Sequence, residues 1–144
     1  MALEVSQVRR LVQGRLAELK RTGAARRERT AAAEREFSVF LPAVATPAFN
    51  AVAQALSAEG YPYRVTTPGG GIRLVSERSS RTYVDLRLDT SGQEPALIAE
   101  MSRERGHRVL VDERPLAPGR AVATVTDEDV VQLLVEVVGD LVER

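Results

Sequence analysis

The stretch TYVDLRLD, residues 82–89, alternates along its whole length. Thr82, Val84, Leu86 and Leu88 fall on one side, and Tyr83, Asp85, Arg87 and Asp89 on the other. A period of two with one apolar and one charged face predicts an antiparallel strand with a dry side and a wet side. The neighbouring segments repeat the pattern. Residues 63–67 and 72–77 flank Pro68-Gly69-Gly70-Gly71, which reads as a hairpin loop. A turn at 90–95 leads to a strand over 96–102, and a turn at 103–106 to another over 107–115. The expectation is a meander of four or five antiparallel strands.

Outside this block the period changes to that of a helix. Thr126 followed by Asp127, Glu128 and Asp129 is a helix start, with Asp129 in the capping-box position and three acids at the positive end of the helix dipole. Val130, Val131, Leu133, Leu134, Val137, Val138 and Leu141 cover more than half of the helix that follows, so it is expected to pack on the sheet and on a second layer. Before the strands, Pro42 interrupts a helical pattern. Thr46-Pro47 then reads as a new start, with Thr46 as N-cap and Pro47 at the first helical position. Phe49, Val52, Ala53 and Leu56 form the buried face of that helix, and Gly60 closes it.

At the N-terminus Val5, Val8, Val12, Leu16 and Leu19 are spaced close to a heptad seam, which Leu11 widens. From Lys20 to Glu36 no apolar side chain larger than alanine occurs, which predicts a segment outside the core. Its Ala, Arg and Glu content favours helix, and Gly23 is the one candidate break. An unbroken helix over 3–40 would measure roughly 55 Å and would project from a small domain. The fold class predicted is α+β: two N-terminal helices, a meander, and a C-terminal amphipathic helix on the sheet. The domain division expected is a helical extension over 1–40, with a basic spacer at 20–36, and an α+β domain over 41–144.

Composition narrows the chemistry. The chain has 144 residues and no cysteine, which excludes disulfides, thiolate metal sites and cysteine nucleophiles. Tryptophan is absent and aromatics are 4%, which argues against recognition by stacking. No long apolar run occurs near the N-terminus, so neither a signal peptide nor a membrane span is expected, and the location expected is cytoplasmic. Net charge is zero but unevenly placed: residues 1–36 carry nine basic and five acidic groups, residues 120–144 two basic and six acidic. Such ends attract one another within or between chains.

Four groups of residues are candidates for chemistry. Gly69–Gly71 precedes a strand, whereas a phosphate cradle needs a helix N-terminus after it. Asp85 and Glu100 lie on consecutive strands and could converge on a metal, as in a small metal-dependent hydrolase. The competing reading is a ladder of Arg73, Asp85, Arg87 and Glu100 on a solvated face, and the only lysine of the chain is Lys20. His107 has Ser102 and Asp112 near it in sequence, the minimum for nucleophilic catalysis; an edge histidine without a role is the simpler account. Arg21, Arg26, Arg27 and Arg29 are the candidate anion contacts of a nucleic-acid-associated protein, although no aromatic interleaves them. Tyr61, Tyr63 and Tyr83 read as sheet packing with a wet hydroxyl.

The functional expectation is a non-enzymatic interaction or scaffold protein without cofactor or metal. It would self-associate as a homodimer or other homo-oligomer through Val5, Val8, Val12, Leu16 and Leu19, with an unidentified protein partner as a further option. Nucleic-acid contact through the basic helix is the alternative, and no membrane partner is expected.

Overall fold

The alternating stretch at 82–89 is the middle strand of a five-stranded antiparallel sheet whose spatial order follows the chain. A computed structural model describes residues 3–142. Its elements are α1 (Val5–Phe40), α2 (Thr46–Ala58), β1 (Tyr63–Thr66), β2 (Ile72–Ser76), β3 (Tyr83–Asp89), β4 (Ala96–Arg105), β5 (Arg108–Leu116) and α3 (Asp127–Val142). The fold is α+β.

One sheet face carries Ile72, Leu74, Val84, Leu86, Leu97, Ala99 and Leu116, all buried. The helices α2 and α3 lie side by side on it, α2 over β1 and β2, α3 over β4 and β5. Phe49, Val52 and Leu56 enter the core from α2, and Val130, Leu134 and Val137 from α3. The capping box of α3 forms as its sequence requires. The Thr126 hydroxyl accepts from the Asp129 N–H at 3.2 Å, and the Thr126 N–H donates to Asp129 Oδ2 at 2.9 Å. Gly60, at φ 90°, closes α2, and Tyr61 N–H returns to the Leu56 carbonyl at 2.8 Å.

Three sequence expectations need correction. First, Pro42 does not end a helix and Thr46 does not cap one. Leu41–Ala45 form a π-helical turn that joins α1 to α2 in a kinked run. Pro42 and Pro47 have no N–H, so a regular ladder through them would be broken; the wider turn shifts the register instead. The Thr46 N–H reaches the Leu41 carbonyl, and its hydroxyl donates to the same oxygen at 2.8 Å. Second, the 20–36 segment does take part in packing. Ala33 is buried, and Thr30, Ala31 and Ala32 are half-buried. Alanine adds little area but lets α1 approach the 3-10 turn Val122–Thr124 closely. The core then takes in Phe37 and Phe40, whose rings stack at 6.1 Å. Third, β4 runs to Arg105 and β5 begins at Arg108, so the turn is only Gly106-His107, with Gly106 at φ 60°.

Gly23 sits inside α1, which is continuous through it. The glycine-rich loop is a 3-10 turn at Pro68–Gly70 inside a hairpin, with Gly69 and Gly70 at positive φ. A Cβ on Gly71 would lie 2.9 Å from the Leu86 carbonyl oxygen, so each glycine has a backbone reason to be there.

Candidate functional site

The first twenty described residues form no part of the core. From Leu3 to Thr22 every position of α1 is exposed, a projection of roughly 30 Å. All five predicted seam residues lie on this stretch, with exposures from 40% at Val8 to 82% at Val5. Leu3 and Leu11 are exposed beside them. A contiguous apolar stripe of this kind marks an interaction surface more often than a stable free surface. The flanks are basic, with Arg9, Arg10, Arg15, Lys20 and Arg21 against Glu4 and Glu18.

The basic spacer is where α1 meets its own domain. Arg26 Nη2 donates to the Gly92 carbonyl at 2.9 Å and to that of Ser91 at 3.4 Å. Arg29 Nε lies 3.6 Å from Glu94 Oε1, and Glu36 accepts from the Ala123 N–H at 3.4 Å. Two of the four candidate anion contacts, Arg26 and Arg29, therefore steady the helix on the β3–β4 turn. Arg21 and Arg27 are exposed. A groove of about 550 Å³ runs where α1 crosses the sheet end, lined by Arg29, Ala33, Glu36, Leu97, Pro115 and Arg120 among others.

The outer sheet face carries a charged row. Arg73, Asp85, Glu100 and Glu113 stand directly opposite one another across β2 to β5. Three carboxylates in line would repel, and arginines hold them. Arg73 grips Asp85 with two bonds, Nε to Oδ1 at 2.5 Å and Nη2 to Oδ2 at 2.7 Å. Its guanidinium also lies 3.8 Å from the centre of the Tyr83 ring. Arg87 donates to Glu113 at 2.9 Å and lies 3.8 Å from Glu100. The bond from Asp85, then its charge, hold the Arg73 guanidinium proton more tightly than usual, against the opposing effect of burial. Asp85 and Glu100 thus converge within a charge ladder. Both Asp85 oxygens are engaged by Arg73, and among the described residues no group of three metal-ligating side chains comes together.

The other candidates separate. Ser102 is buried and donates to the Arg81 carbonyl at 2.7 Å. It is registered with Val111, so Asp112, the next residue, points to the opposite face, and His107 is exposed in the turn beyond. These three residues therefore form no nucleophile–base pair. Tyr63 is buried, and desolvation raises its phenol pKa despite a hydrogen bond with Ser76; Tyr61 packs half-buried against the core.

Sequence reasoning missed Glu113 as a member of the charged row and the exposure of Val109, Leu110 and Val111 on β5. Both depend on strand register. By length and composition the helical run Val5–Ala58 includes a part long and apolar enough to cross a membrane, as the core helices of soluble proteins also do, and 39% of that part is buried in the fold. The chain matches no protein-family model, and no curated protein or solved structure shows significant similarity to it.

Proposed function

We propose that this chain is a non-enzymatic interaction protein that self-associates through its N-terminal helix. The observation that carries the reading is the stripe Val5, Val8, Val12, Leu16 and Leu19, solvent-exposed on a helix that overhangs its own domain. Helices in proteins take most of their stability from packing an apolar face, and a partner surface would supply that burial for the overhang. The occupant that fits is a second copy. The spacing is near-heptad, and the basic N-terminal region is matched in charge by the acidic region after residue 120.

The magnitudes favour docking on a partner's folded body over a bare helix pair. Finishing the burial of ten half-exposed side chains gives on the order of 10 kcal/mol. Association costs about 4–15 kcal/mol in lost freedom. A helix pair would therefore be weak, and contact with the acidic end of the second copy would add to it.

Sedimentation of the full chain across a range of concentrations tests the reading, with V12D/L16D as the comparison. Association clearly weaker in the variant than in wild type, with an unchanged circular dichroism spectrum, is the expected result. Association of equal strength in wild type and variant, or a monomer at every concentration in both, removes the proposal. The nucleic-acid reading has less support, because Arg26 and Arg29 already hold the β3–β4 turn. Oligonucleotide binding at two salt concentrations checks it.

A further inference from the structure

The strand β5 ends the sheet, and among the described residues no strand pairs with its outer side. From Arg108 to Pro115 every residue is exposed, including Val109 at 41%, Leu110 at 41% and Val111 at 59%. An unpaired edge templates further pairing unless something covers or blunts it, and the charges of β5, Arg108, Asp112, Glu113 and Arg114, leave the aliphatic run Val109–Val111 between them. The only proline in β5 is Pro115, near its far end. The part of the β4–β5 hairpin past Ser102 also extends beyond the last residue pair with β3, Tyr83–Ser102.

The direction of the free backbone groups follows from the turn. Arg105 and Arg108 flank a two-residue turn, so Arg108 directs its N–H and C=O towards β4. Alternation then turns the N–H and C=O of Val109, Val111 and Glu113 outwards. Pro115, which has no N–H to leave unpaired, falls in the same outward series, as edge prolines do.

Residues 107–113 read HRVLVDE. Two basic types lead, three aliphatic residues follow and two acids close, so the segment is a charge-inverted palindrome about Leu110. We propose that β5 pairs antiparallel with β5 of a second copy, centred on Leu110, to make a continuous ten-stranded sheet. In that register Leu110 faces Leu110 once, on the two-fold axis, and Val109 faces Val111, Arg108 faces Asp112 and His107 faces Glu113, each twice by symmetry. Val109 and Val111 exchange backbone hydrogen bonds. Arg108, Leu110 and Asp112 share one face, so two Arg–Asp pairs bracket the leucines. The neighbouring registers are worse: centring on Val109 sets Arg108 against Leu110 and Asp112 against Gly106 of the turn. Centring on Val111 sets Arg108 against Arg114, and centring on Asp112 sets that acid against itself.

This interface is separate from the α1 stripe, so the test is run in the full chain carrying V12D/L16D. Sedimentation equilibrium is measured for that background and with R108D, D112R, and both together. Within one chain residues 108 and 112 are about 13 Å apart along the strand and cannot compensate each other. Each single change is expected to weaken association by about tenfold or more, and the double change to restore it. In the wild-type chain, exchange of the Val109 and Val111 amides should be slow when concentrated and fast on dilution. Single variants that associate normally, a double variant no better than the singles, or amide exchange independent of concentration would each overturn the proposal. A background that stays monomeric at millimolar concentration overturns it too, and leaves the edge to an extended segment of another protein.

Discussion

Leu19 and Phe37 lie on the same side of α1, about five helical turns apart, yet Phe37 is 8% exposed and Leu19 49%. The stripe and the core-facing side of the helix are one continuous face, which the domain covers only from the spacer onwards. Phe37→Ala should therefore cost the monomer about 3–5 kcal/mol. Leu19→Ala should change monomer stability by less than about 0.5 kcal/mol and weaken self-association instead. Chemical denaturation at low concentration, paired with sedimentation, separates the two effects.

The cap of α3 gives a pH dependence. Hydrogen bonds from the Thr126 backbone and hydroxyl, then Arg120, hold the Asp129 carboxyl below the usual range. Its folded pKa is lower than its unfolded one, so its contribution is complete above the unfolded value, about 3.9. That contribution is lost as pH falls through the folded value. Asp129→Ala should lower the melting temperature at neutral pH, and the gap from wild type should close in strong acid. Thr126→Ala should cost about 1 kcal/mol, measured by denaturation at neutral pH. A gap for Asp129→Ala that widens in acid would contradict the assignment.

The bidentate Arg73–Asp85 pair is partly buried, with side-chain exposures of 28% and 17%. A double-mutant cycle with Arg73→Met and Asp85→Asn should return a coupling of about 1 kcal/mol, at the upper end for pairs open to solvent. Because Arg73 engages both Asp85 oxygens, magnesium or manganese should leave the melting temperature unchanged. A clear metal-dependent rise would revive the hydrolase reading.

Gly71→Ala should destabilise by about 1–3 kcal/mol, because the added methyl meets a backbone carbonyl of β3 that cannot move alone. Gly14→Ala meets nothing within 4 Å and should stabilise α1 by about 1 kcal/mol. Thermal melts of the two variants should move in opposite directions.

Much of the fold was legible because its signals are local. The alternation at 82–89, the capping box at Thr126 and the closing Gly60 each depend on residues a few positions apart. The kink was misread for the same reason: Pro42 and Thr46-Pro47 look like a stop and a start, and only packing makes a π turn cheaper than two separate helices. Ala33 was misread because its burial comes from the approach of a distant turn, Val122–Thr124, and not from its own size.

By itself the sequence determined which faces are apolar, where the chain turns, and that a greasy stripe precedes a basic spacer. The tertiary structure decided what those faces meet. Register set Glu113 beside Arg87 and kept Ser102 from Asp112. The length of α1 beyond the sheet left Leu19 in solvent while Phe37 was covered. Periodicity acts within a few residues, whereas register and overhang depend on the relative placement of whole elements, which hydrophobic burial against distant segments selects.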